Sequence, residues 1–329
     1  MSKKRILSGM RPTGKMHLGH LVGALDNWVK LQEEYDCFFM IADWHALMSE
    51  YENTSSLPGF IIDNVVDWLS AGIDPVQSTL FIQSEISAHL DLHMIFSCLT
   101  PLGWLKRCPT YKEQLREIKT RDLNTYGFLG YPVLQAADIL IYKADKVPVG
   151  EDQLPHLELT REIARRFNGL YKKEVFPNPD AILTRTPRLL GLDGRKMSKS
   201  YDNTINLSDS EDMIKKKVSN MVTDPRRIKL TDKGHPEVCN VFSYYSVFMP
   251  QVKDEVYDWC TNAKLGCTDC KKRFALGLIE KLKPLHRRRQ ELLKDRAAIR
   301  EMLKKGREKA AAVATNTLRE VKEAMQISV

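Results

Sequence analysis

No apolar run in this 329-residue chain approaches the roughly 20 residues that a membrane-spanning helix needs. Its first residues, Met1-Ser2-Lys3-Lys4-Arg5, have none of the long apolar stretch that a signal peptide carries, so the cytoplasm is the expected compartment. Seven cysteines, an odd number, argue against a disulfide framework. Internal repeats and low-complexity tracts are missing, which sets aside solenoids and disordered tails. Also missing is a convincing nucleophilic triad, and with it the expectation of covalent catalysis.

An apolar content of 43% with 28% charged residues is that of a soluble globular protein, and the length suggests two domains. The formal charge is 50 − 42 = +8. The excess gathers late, at Lys271-Lys272-Arg273, Arg287-Arg288-Arg289 and Lys304-Lys305, which suits a polyanion partner or, more plainly, a basic helix face in water.

Short apolar runs at 5–8, 37–42, 78–83 and 146–149 read as buried strands, with helical periodicity at 18–34 and 60–71 and from 150 to about 167. Strand–helix alternation of this kind implies βαβ crossovers and an α/β fold with a doubly wound parallel sheet over residues 1–203. After Ser200 the strand signals stop. Residues 204–329 read as a second, all-helical domain, opened by a capping box at Ser208-Asp209-Ser210-Glu211. Breaks are expected near Pro225, Pro236, Pro250, Gly266 and Pro284, and a last helix at about 305–325 could pack back on the first domain.

Two stretches suit phosphate. In Leu192-Asp193-Gly194-Arg195-Lys196-Met197-Ser198-Lys199-Ser200, cations sit on a glycine-opened loop that can bend and close. Far upstream, Arg11-Pro12-Thr13-Gly14-Lys15-Met16-His17-Leu18-Gly19-His20 follows the first strand, on the rim where doubly wound sheets bind ligands. Asp43-Trp44-His45 falls on the same rim, as an ordinary loop or helix cap. Gly150-Glu151-Asp152 opens a helix whose free N–H groups, flanked by acids, suit hydroxyls or an ammonium group better than phosphate. Asp138 interrupts the apolar run 133–142, where a carboxylate must be exposed at a helix end or turned into a polar pocket.

His17-Leu18-Gly19-His20 resembles the HIGH signature, and Lys196-Met197-Ser198-Lys199-Ser200 the KMSKS signature, of class I aminoacyl-tRNA synthetases. Val147-Pro148-Val149-Gly150-Glu151-Asp152-Gln153 and the run from Tyr131 to Tyr142 look like the tryptophanyl branch, and the likeness extends from Ile6 to about Met325. The resemblance implies activation of L-tryptophan by Mg-ATP and its transfer to the 3′ end of tRNA, by a homodimer. Positioning and charge would dominate such chemistry. Lys112, Lys196, Lys199, His17 and His20 are then the catalytic cations and donors. Read by composition alone, Lys112 is a surface charge. Arg11, Pro12, Thr13, Gly19, Leu189, Met197, Ser198 and Ser200 join them at ATP, with Gly150, Glu151 and Asp152 at its ribose. Asp138 would accept the indole N–H, Tyr131 and Gln153 would take the amino group, and Val147 and Val149 would line the indole slot. Gln135, also at the tryptophan, departs from a bacterial subgroup with an apolar residue there. A tyrosyl enzyme and a non-catalytic RNA-binding paralogue are the alternatives.

Cys239, Cys260, Cys267 and Cys270, spaced Cys-x20-Cys-x6-Cys-x2-Cys, form a candidate metal centre. Zn²⁺ is the generic reading, but only one C-x2-C knuckle exists. A subset of the tryptophanyl branch carries a similar pattern, with a slightly different first gap, and the resemblance implies a [4Fe–4S] cluster there. Cys37, Cys98 and Cys108 are expected to be small buried side chains.

Overall fold

The computed structural model describes residues 3–109, 111–112, 122–183, 189–195, 197 and 201–327. The helices that bear on function are, in chain order, α1 (Asp26–Glu34), α2 (Asp43–Glu50), α3 (Leu57–Ala71), α4 (Ala88–Leu99), α5 (Leu102–Arg107), α6 (Tyr126–Ile141) and α7 (Leu154–Tyr171). They continue with α8 (Glu211–Ser219), α9 (Asn240–Phe248), α10 (Lys253–Thr261), α11 (Cys267–Lys294) and α12 (Arg296–Ala324). The chain divides into two compact units, one drawn from Met1–Thr13, Asn27–Arg185 and Asp295–Val329, the other from Gly14–Asp26 and Thr186–Lys294.

The first unit holds a parallel sheet of β1 (Arg5–Met10), β2 (Asp36–Ile41), β3 (Ser78–Ile82), β4 (Lys146–Val149) and β5 (Asp180–Leu183), in the order β3-β2-β1-β4-β5. This is the doubly wound arrangement, with its switch point between β1 and β4. β1 pairs with β2 along its whole length but with β4 only at Ile6–Lys146. β5 was not expected from the sequence; it is four residues long and only partly buried.

The sheet packs through aromatic contacts. Trp28 of α1 stacks on Phe39 at 4.5 Å and meets Trp68 of α3 edge-on at 5.0 Å. Gly72 ends α3 with φ +114°, a left-handed cap that a side chain would strain. α6 begins at Thr125, whose hydroxyl accepts from the Phe128 N–H, and runs on through Pro132. α12 starts earlier than expected, capped by Asp295, and packs against β3. Gly306 lies so close to the Leu80 carbonyl that no Cβ fits between them. Lys309–Asp36 (3.1 Å) and Lys143–Glu320 (2.7 Å) tie the same helix to the sheet unit. Cys37 and Cys108 are buried as expected, but Cys98 is exposed on α4.

In the second unit, α8 is capped by Ser210 rather than by the expected box at Ser208. α11 passes through Pro284 without the expected break. Tyr244, Tyr245 and Phe274 make the aromatic core between α9 and α11. The helix expected over 18–34 begins with a single turn, Leu18–His20, and a π-type turn, Leu21–Leu25, before α1. Among the described residues no helix is long and apolar enough to cross a membrane.

Candidate active site

In the second unit the segment carrying His17, Gly19 and His20 meets the stretch at Ile205 and Leu207 and approaches Met197. The segment before Leu18 bridges the stretch after residue 201, with Leu18 N–H on Ile205 O at 3.0 Å and Leu207 N–H on Met16 O at 2.9 Å. A Cβ on Gly19 would sit 3.0 Å from the His17 ring and 3.1 Å from Met197 Sδ, so glycine sets how closely these segments approach. His17 Nδ1 accepts from the Gly19 N–H at 3.2 Å, and His20 Nδ1 accepts from the His17 N–H at 3.1 Å. Backbone N–H groups only donate, so each neutral ring carries its proton on Nε2, the form that can donate to phosphate. Gly194, at φ +79°, turns the loop before Met197, and Asp193 holds it through Asn203 (2.8 Å) and Arg195 (2.7 Å). The Asn203 and Arg195 hydrogen bonds take the Asp193 carboxyl down to about 2. Leu189 is half-buried nearby in sequence. Lys196, Ser198, Lys199 and Ser200 lie outside the described residues.

In the first unit, Arg11, Pro12 and Thr13 follow β1, and Gly150, Glu151 and Asp152 follow β4, so the two segments flank the switch point. Arg11, Glu151, Asp152 and Lys112 are exposed.

Tyr131, Gln135, Asp138 and Tyr142 fall at i, i+4, i+7 and i+11 from α6 into its C-cap, hence on one stripe. Asp138 is 2% exposed and resolves the sequence alternative: it is turned into a polar pocket. Its Oδ1 accepts from Gln83 Nε2 at 2.8 Å and His89 Nδ1 at 2.7 Å, and its Oδ2 from His45 Nε2 at 2.7 Å. His89 Nε2 pairs in turn with the Tyr142 hydroxyl at 2.7 Å. Burial pushes the Asp138 carboxyl up, but the hydrogen bonds and charges of His45 and His89 outweigh it and leave it at about 2. Val147 and Val149 are buried and, two residues apart on β4, share a face. Tyr131 Oη lies 2.8 Å from His156 Nε2, and His156 Nδ1 lies 2.9 Å from Gln153 Oε1. Burial draws the His156 imidazole down to about 4, so it is neutral. His45, Gln83, His89, Tyr142 and His156 were not singled out as site residues from sequence. Only Tyr142 and His156 carried a local signal, in their helical spacing from Asp138 and Gln153.

Cys239, Cys260, Cys267 and Cys270 line one cavity in the second unit, with Arg227 and Trp259 among its other walls. Burial raises the Cys239 and Cys260 thiols and takes Cys270 up to about 12, so they are not reactive nucleophiles. Backbone N–H groups of Phe242, Val241 and Asp224 are directed at Cys239 sulfur, and the Arg227 side chain at Cys260. Such donors suit sulfur that carries negative charge. Among the described residues no three His, Cys, Asp or Glu side chains are drawn together as the ligand set of a metal ion.

A profile of the family "tRNA synthetases class I (W and Y)" matches residues 2–283. The tryptophan–tRNA ligase of Thermotoga maritima is 51% identical over 326 residues, spanning 98% of this chain and 99% of that protein. That of Ralstonia nicotianae is 40% identical, with both chains covered in full. Among solved structures, the tryptophanyl-tRNA synthetase of Campylobacter jejuni in complex with ADP and tryptophan superposes with a TM-score of 0.89 at 33% identity, over 98% of this chain and 99% of that one. The chain therefore belongs to the tryptophan and tyrosine family of class I aminoacyl-tRNA synthetases.

Proposed function

We propose that this enzyme is a tryptophan–tRNA ligase. A tryptophan carboxylate oxygen attacks the α-phosphorus of Mg-ATP, the bond to the β-phosphate breaks, and pyrophosphate leaves. A hydroxyl of the terminal ribose of tRNA then attacks the adenylate's carbonyl carbon, and AMP leaves. The observation that carries the choice of amino acid is Asp138. A buried, ionised, acceptor-only carboxylate matches the indole N–H, which only donates. Val147 and Val149 line the slot, Gln135 lies on the same stripe of α6, and Tyr131 and Gln153 take the amino group. His17 and His20 donate to the phosphates, Lys112, Lys196 and Lys199 neutralise the leaving pyrophosphate, and Gly150, Glu151 and Asp152 hold the ribose. Arg11, Pro12, Thr13, Leu189, Met197, Ser198 and Ser200 complete the ATP site. The test is exchange of labelled pyrophosphate into ATP. Exchange should need tryptophan; a dependence on tyrosine would reassign the substrate, and no exchange at all would leave a non-catalytic paralogue.

The cysteine cavity is read here as the seat of a [4Fe–4S] cluster rather than Zn²⁺. A single zinc draws four sulfurs to about 2.3 Å from one point. The four cysteines line one cavity and include a single C-x2-C knuckle, whereas a cube takes one thiolate at each of four separate corners. The cluster would brace the basic surface at Lys271-Lys272-Arg273 in the helical region, 204–294, that we assign to the tRNA anticodon, with α12 serving the catalytic unit. Anaerobic purification should yield iron and sulfide in equal amounts and a broad visible absorption; stoichiometric zinc without sulfide would reverse the assignment. We further propose a homodimer formed through α4, a reading supported by Leu90, Met94 and Cys98, which repeat every fourth residue and are all exposed, with Leu102 of α5 exposed beside them in sequence. The cytoplasm is the compartment.

A further inference from the structure

Four side chains of the first unit form a hydrogen-bond chain whose direction can be read from its ends. Asp152 Oδ2 accepts from Gln153 Nε2 at 2.8 Å. That orients the amide, so Gln153 Oε1 faces His156 Nδ1 at 2.9 Å. An amide oxygen only accepts, and Nδ1 must therefore carry the ring's proton. The ring is 1% exposed and neutral, its protonation drawn down by burial. A neutral imidazole protonated on Nδ1 has a bare Nε2. Tyr131 Oη, 2.8 Å away, gives its own proton to that nitrogen. The lone pairs of the Tyr131 oxygen and the second lone pair of Gln153 Oε1 are then turned outward as acceptors. With the opposite tautomer, Nε2–H would donate to the Tyr131 oxygen and leave the Tyr131 proton free to face, and repel, a cation.

We propose that His156 is a positioning residue that makes Tyr131 and Gln153 a pair of neutral acceptors for the substrate's α-ammonium group. The proposal rests on the reading of those two residues as the amino-group partners. It assigns to His156, acting through Tyr131 and Gln153, the discrimination between an amino acid and the same indole acid without its amine. Burial of the ring is essential to this role, because a protonated imidazole would donate from both nitrogens and reverse Tyr131.

The experiment is calorimetric binding of L-tryptophan and of indole-3-propionate, which keeps the indole and carboxylate but lacks the amine. The full-length protein, His156→Phe, Tyr131→Phe and the double variant are compared. Each single variant should bind tryptophan roughly ten- to a hundred-fold more weakly, the range for losing a hydrogen bond to a charged group. Affinity for indole-3-propionate should hold, and the double variant should be no worse than the singles, because both act through one interaction. Equal losses for the two ligands, or an undiminished tryptophan affinity in His156→Phe, would overturn the proposal. If the Tyr131 variant alone is selective, His156 has no positioning role. Should His156→Phe fail to fold, ¹⁵N shifts of the histidines in the unmutated protein decide instead. Neutral His156 protonated on Nδ1 is required, and an Nε2–H tautomer would overturn the idea. Unmutated protein that binds both ligands equally would instead remove the amino-group reading of Tyr131 and Gln153.

Discussion

Asp138→Asn exchanges one carboxylate oxygen for an NH₂ group and changes almost nothing else. An ionised carboxylate offers about four lone-pair sites. Gln83 and His89 occupy both on Oδ1, and His45 occupies one on Oδ2. The open site is therefore on Oδ2. That is the accessible side, since the His45 side chain is 12% exposed and that of His89 0%. An asparagine must turn its oxygen towards Gln83 and His89, because two fixed donors point there and Tyr142 holds His89 in place. Its NH₂ then replaces Oδ2. His45 can respond by moving its ring proton to the other nitrogen, but the indole N–H cannot. Donor would face donor where a charge-assisted hydrogen bond of about 1.5–3 kcal/mol had been. Tryptophan KM should rise roughly ten- to a hundred-fold with ATP KM unchanged. Discrimination against phenylalanine should fall, because an unpaired carboxylate is what rejects it.

The same substitution has a signature in stability. With the carboxyl at about 2 in the folded protein against 3.8 ordinarily, its partners contribute about 2–3 kcal/mol near neutrality. A depressed carboxyl stabilises above its unfolded value and loses that contribution as pH falls from near 4 through about 2. The variant should melt a few degrees lower at pH 7, with the gap closing as acid is approached. Pyrophosphate exchange with tryptophan and phenylalanine, beside thermal melts across pH, separates the two effects. A variant that melts lower yet keeps the wild-type KM and phenylalanine discrimination would make Asp138 a purely structural carboxylate.

Lys199→Ala should lower the rate of adenylate formation far more than it weakens tryptophan binding, because a loop lysine acts on charge that develops at the leaving pyrophosphate. Proportionate losses in single-turnover rate and tryptophan affinity would point to a structural loop instead. Gly306→Ala would favour a free helix by about 1 kcal/mol, but its methyl meets the Leu80 carbonyl, and a net loss of about 1–3 kcal/mol is expected. An unchanged or raised urea midpoint would show that α12 is not seated on β3. Met94→Glu should turn a dimer into a monomer by sedimentation, and an unaltered dimer would move the interface away from α4.

The strands were legible where burial on both faces makes a continuous apolar run, as in Cys-Phe-Phe-Met-Ile of β2. β5 was not, because Asp180-Ala181-Ile182-Leu183 is short and only partly buried, so its residues bear little sequence imprint. Pro284 misled for a related reason. A proline signals a break only when the lost hydrogen bond is not outweighed, and in α11 the flanking Leu282 and Leu285 are buried. The site divides along the same line. His17, Gly19 and His20 act on backbone within three residues of themselves, so a local signature carries them. Asp138 could be singled out because a carboxylate in an apolar run is untenable without partners. Which partners was beyond the sequence: His45, Gln83 and His89 stand 93, 55 and 49 positions away and converge only when α2, the turn after β3 and α4 are brought against α6. The price of burying one charge thus announced that donors must exist, and folding decided which ones. The donors leave one Oδ2 lone pair uncommitted, and on the proposed reading that vacancy, more than the charge itself, would specify an N–H on the ligand.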